Sequence, residues 1–320
     1  MVSVVIPIYN GEKYIPTCLD SLQLDQNNTL EVIAVNDGSK DSSLGILCQY
    51  AERFPNLKVI DQENTGAAQA RKRGIAEATG DFITFLDVDD WVDPCMYANM
   101  EAKALESHAD IVICDYVEEY PGKAVSKKNA FAKNQSFPLT GVEAIRYLHS
   151  RRAVFSFPWN KIYRADLLRQ VEFPSGNFVG EDYNMLLQLF EKTDRIDYLA
   201  LEGYHYVLTE DSASRAGYGP STLLAYENFQ KDYEMVCRLH PEMKQDVTNY
   251  LMIEYMAFII AMGRNRTYNQ ELIKEIKQFV KKGFRGFIKA DYVSTKMKGS
   301  ATALCISYRL LIAMYRLLSK

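Results

Sequence analysis

Between Phe82 and Trp91 the chain reads Phe-Ile-Thr-Phe-Leu-Asp-Val-Asp-Asp-Trp, an apolar run of strand length that stops in three carboxylates within four positions. Successive apolar and β-branched residues suit a strand buried on both faces, as in a parallel sheet. In open α/β sheets, ligands sit beyond the carboxyl ends of such strands. Asp87 and Asp89 lie two apart, so in extended chain both side chains face the same way. Two carboxylates so placed repel each other and need a cation, and hard oxygen donors suit Mn2+ or Mg2+. The bland alternative is a solvated acidic turn, with Asp93-Pro94 starting the next helix. What separates the two is the rest of the N-terminal half.

That half alternates. Ser3 to Ile8, Glu31 to Val35 and Leu57 to Ile60 read as strands, and Tyr14 to Leu24, Ser42 to Phe54 and Thr65 to Ala78 as helices. Asp110 to Cys114 predicts a further strand, Pro121 to Pro138 a loop or hairpin, and Tyr198 to Val207 a strand returning to the sheet. From about Ser221 the pattern is helical. The expected fold is therefore α/β: a Rossmann-like, mostly parallel sheet flanked by helices over residues 1–220, then a helical region over 221–320. The first strand-helix turn, Tyr9-Asn10-Gly11-Glu12-Lys13, is not Gly-x-Gly-x-x-Gly, and no Gly-x-x-x-x-Gly-Lys occurs. Dinucleotide-binding and P-loop phosphate cradles are thereby excluded, so a nucleotide diphosphate would need a metal.

A formal net charge of −4 argues against a general nucleic-acid binder. The charge is uneven, with ten Lys or Arg against Asp291 alone from Ile276 onward, a net of +9. Six scattered cysteines without a Cys-x-x-Cys pair read as reduced thiols, and Met1 leads directly into a strand with no room for a signal peptide. The expected location is cytoplasmic, with a peripheral contact at the inner face of the membrane left open.

Six motifs then occur in order: Val4-Val5-Ile6-Pro7-Ile8-Tyr9-Asn10, Asn36-Asp37-Gly38-Ser39, Asn64-Thr65-Gly66 with Ala70-Arg71, Leu86-Asp87-Val88-Asp89-Asp90, Trp159-Asn160-Lys161-Ile162-Tyr163-Arg164 and Gly180-Glu181-Asp182-Tyr183. Together they resemble the family-2 inverting glycosyltransferases of GT-A fold, in the bacterial cell-surface glycan or glycoprotein glycan branch. The resemblance covers roughly residues 1–215. It implies metal-dependent transfer of a hexose or N-acetylhexosamine from a UDP-sugar to a hydroxyl of a glycan or glycoprotein.

On the donor side the resemblance implies that Asp37 accepts from the uracil N–H, with Pro7, Ile8 and Tyr9 forming the wall against the base. It further implies that Arg71 and Val88 belong to the nucleotide-sugar site, with Asp87 near the ribose and Asp89 with Asp87 on the metal. Asp182 is the general base, with Glu181 its substitute. Trp159 and Lys161 belong to the acceptor side. Each has a plainer reading: an Asp-Gly turn for Asp37, a solvated helix arginine for Arg71, a helix cap for Asp182, core for Trp159 and a solvated surface lysine for Lys161.

Two positions depart from the pattern. Val88 stands where a small serine is common, and Tyr204-His205-Tyr206-Val207 lacks the arginine many relatives carry there, for which His205 and Arg215 are the candidate substitutes. Rival readings are an aspartate-nucleophile phosphatase, disfavoured by Trp91 in the fifth motif position, and a catalytically inactive assembly or chaperone subunit of a glycosylation complex. After Gly299 a short helix apolar on most sides is expected either to pack, on this chain or in a homo-oligomer, or to lie in a membrane surface.

Overall fold

The computed structural model describes residues 1–26, 29–120, 126–128, 135–173, 180–208 and 218–318. The chain divides into two compact units. The first comprises Met1–Ile145, Ser156–Asn177 and Glu181–Glu210; the second comprises Arg146–Phe155, Phe178–Gly180 and Asp211–Lys320.

The first unit is built on one sheet. Its strands are β1 (Val2–Ile8), β2 (Leu30–Asp37), β3 (Leu57–Gln62), β4 (Phe82–Phe85), β5 (Trp91–Val92), β6 (Ile111–Glu119), β7 (Ser126–Lys128), β8 (Phe137–Leu139), β9 (Lys161–Arg164) and β10 (Ile196–Val207). They lie in the order β3-β2-β1-β4-β9-β6-β10-β5, with β7 on β6 and β8 on β10. The pairs β1/β2, β2/β3, β1/β4 and β6/β10 are parallel. The sheet is mostly parallel, as the alternation predicts, and Tyr198 to Val207 does return a strand to it. The apolar runs are explained by burial on both faces: Val4, Val5, Ile6, Val32, Ile33, Phe82 and Ile83 are all inaccessible.

One strand went unread. Lys161–Arg164 runs antiparallel between β4 and β6, so the sheet is mixed at its centre. Four residues are too few to show a period, and their slot is decided by tertiary pairing. The β6 strand also runs past Cys114 to Glu119, and the first helix is shorter than expected, Ile15–Ser21.

Register aligns the strand ends that matter. Val5 pairs with Phe85, and Ile8 with Asn36, so the carboxyl ends of β1, β2 and β4 form one rim. Helix Ala67–Glu77 packs closely on β1 through Gly74, where an added Cβ would fall 2.2 Å from Val5 Cγ1. Val5 sits in the middle of the sheet and has nowhere to move. Gly74→Ala is therefore expected to destabilise the protein by about 1–3 kcal/mol, read as a lower denaturant midpoint with unchanged slope.

The second unit is helical: Pro220–Leu239, Lys244–Asn265, Gln270–Lys289, Thr295–Ile306 and Tyr308–Leu318. The single short helix expected after Gly299 is two helices, the first beginning at Thr295, because Ser307 is extended and breaks the ladder. Among the described residues, no helix is long and apolar enough to cross a membrane.

Candidate active site

The rim carries the acidic loop. After β4 the chain turns, with the Asp90 amide donating to the Asp87 carbonyl at 3.0 Å. Asp90 is locked from below: Tyr204 Oη donates to it at 2.6 Å and the Val207 amide at 2.7 Å. Burial beside Asp87 and Asp89 pushes its carboxyl up to about 9 despite those donors. Tyr204 Oη also accepts from the Asp87 amide at 3.3 Å. Asp90 and Tyr204 thus pin the loop that presents Asp87 and Asp89, a function missing from the sequence reading. The third acid in the run was its only signal.

Asp89 is pushed up to about 6, first by burial and then by the charge of Asp87. The two acids sit on a turn and not on the extended chain that the spacing argument assumed, yet the charge of Asp87 still bears on Asp89. Val88 packs on the first turn: a Cβ at Gly11 would lie 3.2 Å from both its methyl groups.

Arg71 organises the site. It is 6% exposed, on helix Ala67–Glu77, and is not a solvated arginine. Nη2 donates to Asp87 at 3.1 Å and Nη1 to Asp182 at 3.0 Å, with Glu181 at 3.7 Å. Arg71 and Asp182, 111 positions apart in sequence, are thus in direct contact. Its buried Nε–H has no protein partner among the described residues. Glu181 and Asp182 open helix Glu181–Phe190, where the helix dipole favours acids. Burial raises the Asp182 carboxyl above the ordinary aspartate range, with Arg71 opposing. Removing the guanidinium would strand these carboxylates together, so Arg71→Met is expected to cost about 3–5 kcal/mol, measurable as a lowered melting temperature.

The other expected site residues are placed as follows. Asp37 ends β2, where Oδ1 accepts from the Thr65 amide at 2.9 Å, Thr65 Oγ1 at 3.2 Å and Gln62 Nε2 at 2.8 Å, and Oδ2 from the Gly66 amide at 2.8 Å. It therefore shapes the loop before the Arg71 helix. Gly38 has φ +69° and lies against Asn64, so the Asp-Gly turn is also present. Pro7 and the buried Ile8 end β1 beside it, and Tyr9 is exposed at the rim.

Lys161 is inaccessible within β9. Its Nζ donates to the Phe157 carbonyl and Asn160 Oδ1, both at 2.6 Å, and burial pulls it down to about 7. Trp159 is 2% exposed, stacked on Phe157 at 4.8 Å and Tyr204 at 4.0 Å. His205 stacks on Trp91 at 3.4 Å and contacts Glu119 at 2.9 Å, while Arg215 lies outside the described residues.

A mostly parallel sheet whose strand ends gather these carboxylates has the architecture of a GT-A glycosyltransferase. The sequence model of glycosyl transferase family 2 matches residues 3–172, more than half of the chain, and the chain belongs to that family. It is 31% identical over 255 residues to the uncharacterised glycosyltransferase YibD of Escherichia coli (strain K12), covering 78% of this chain and 73% of that protein. The crystal structure of S. aureus TarS 1–349 shares the fold at a TM-score of 0.66 and 23% identity, covering 99% of this chain and 91% of that one. TarS 1–349 in complex with UDP-GlcNAc matches at a TM-score of 0.63 and 23% identity with the same coverage. The protein is a glycosyltransferase.

Proposed function

We propose that the chain transfers a hexose or N-acetylhexosamine from a UDP-sugar to a hydroxyl of a glycan or glycoprotein, with inversion and with Mn2+ or Mg2+ on the donor diphosphate. The observation that carries this reading is the Arg71 guanidinium joined to Asp87 at 3.1 Å and to Asp182 at 3.0 Å. One cation links the donor-side acid to the proposed base. The UDP-GlcNAc complex of TarS supports a UDP-sugar as donor.

The donor set fits a divalent ion. Asp87 and Asp89 offer hard oxygens that repel each other, and excess negative charge surrounds the single guanidinium. Among the described residues no group of three or more side chains that could hold a metal ion occurs, so Asp87 and Asp89 would hold one only together with oxygens of the donor and water. When bound there, the ion supplies Lewis-acid charge to the departing diphosphate. The orphan Arg71 Nε–H offers one further donor to an anion. Asp37 retains lone-pair capacity for a nucleobase N–H, beside the wall of Pro7, Ile8 and Tyr9.

In the transfer step the acceptor hydroxyl gives its proton to Asp182 as its oxygen attacks the anomeric carbon. The bond to the diphosphate breaks, and UDP leaves with the electron pair. A single displacement inverts the centre. Arg71 holds Asp182 Oδ1, leaving Oδ2 as the oxygen to take the proton.

The test is UDP release from a panel of UDP-glucose, UDP-galactose and their N-acetyl forms, with and without Mn2+. Release from a UDP-sugar only with metal is expected; inertness toward all four with and without metal would reject the reading. The base must be ionised, and its folded value is raised, so the rate is lost as pH falls through that value. The acid limb of kcat is therefore expected at a higher pH than an ordinary aspartate, near 4, would give. A pH-rate profile reads it directly.

A further inference from the structure

The second unit carries an open apolar row outside the residues of the proposed site. Helix Tyr308–Leu318 is apolar on two sides. Leu311 and Ile312 are buried, Ile312 against Gly263 of helix Lys244–Asn265, where an added Cβ would lie 2.8 Å away. The other side is open: Leu310 and Leu317, seven apart on one stripe, are 40% and 76% exposed. At the corner before the helix, Ile306 is 67% exposed. A protein seldom leaves such a row bare without a use for it.

Cations adjoin the Ile306 end of this row. Lys277 of helix Gln270–Lys289 donates from Nζ to the Ile306 carbonyl at 2.9 Å, which fixes that helix beside the corner. Lys281, one turn further on, is exposed and close enough to act on the Cys305 thiol. Arg309 is exposed next to Leu310, with Tyr268 and Tyr308 paired at 5.9 Å alongside. After Asp291 the sequence contains no acid.

We propose that this face, the Leu310–Leu317 stripe with Ile306 and the adjoining cations Lys277, Lys281 and Arg309, docks the protein on a bilayer surface containing anionic phospholipid. The apolar stripe enters the boundary of headgroups and acyl chains while the cations meet phosphate, the arrangement of an interfacial helix. Tyrosine rings suit the same depth. The face is too short to span. A second copy is the poorer occupant, since a two-fold contact would set the same cations against each other. The inference does not rest on the donor or acceptor assigned above.

The test is co-sedimentation of the full chain with vesicles of phosphatidylcholine, alone or mixed with phosphatidylglycerol. Binding to the mixed vesicles only, weakened by salt, is expected. Leu310→Ser with Leu317→Ser, and separately Lys281→Gln with Arg309→Gln, should each lower partitioning roughly tenfold or more. All four side chains are exposed, so unchanged thermal melting should confirm that the variants are folded. Folded protein that stays in the supernatant with phosphatidylglycerol at low salt overturns the proposal. So does undiminished binding by both double variants, or a dimer that the leucine pair dissociates without any vesicle binding.

Discussion

Asp89→Ala is expected to reduce sugar transfer to background and to weaken UDP binding only when Mn2+ or Mg2+ is present. The physical reason lies in the arrangement of the acidic loop. Asp89 is half-buried next to Asp87, whose charge raises the cost of ionising it. A divalent ion at the proposed site would offset that cost, and removing one carboxylate would leave it fewer protein oxygens. Without metal, the variant should bind UDP as weakly as the wild type does. Titration of UDP by calorimetry, with Mn2+ and with chelator, separates the two conditions. Undiminished UDP affinity and turnover in the variant would remove Asp89 from the metal site.

Asp182→Asn is expected to lower kcat by ~10²–10⁴ while the donor KM stays close to wild type. Asparagine keeps the size of the side chain and an Oδ1 that still accepts from Arg71 Nη1. It cannot take the acceptor's proton. A loss of that size is about 3–5 kcal/mol of barrier, more than a missing helix-start contact of ~1 kcal/mol would produce. If donor affinity collapsed and residual turnover stayed high, Asp182 would be holding the helix Glu181–Phe190 and not the proton.

Much of this site could be read from residue order, and the parts that could not share a cause. The apolar run before Asp87 marks a strand because burial on both faces demands apolar side chains at every position, whatever the partner. Successive β-α units imply a parallel sheet for the same local reason. Arg71 looks ordinary in sequence, since nothing near it foretells that Asp87 and Asp182 will converge on its two terminal nitrogens. Lys161 reads as a solvated lysine until β9 slots between β4 and β6 and takes its stem into the sheet. Trp159 reads equally as acceptor side or core in sequence, and its stack on Tyr204 depends on β10 arriving beside β6. Each unread feature is a contact across many residues, set by topology and invisible to local pattern.

The placement of β9 also orders the folding of the chain. Strands β1 to β4 find their neighbours among themselves, so that block can assemble as soon as Phe85 is available. β6 has no partner among those four: it pairs with β7, β9 and β10, all later in sequence. Among the described strands only β9 pairs with both blocks, with β4 on one side and β6 on the other. Loop closure over so many residues is slow. On a ribosome, the N-terminal block therefore waits with the β4 edge unpaired until Arg164 has emerged. That edge is the one most in need of shielding while the chain is being made.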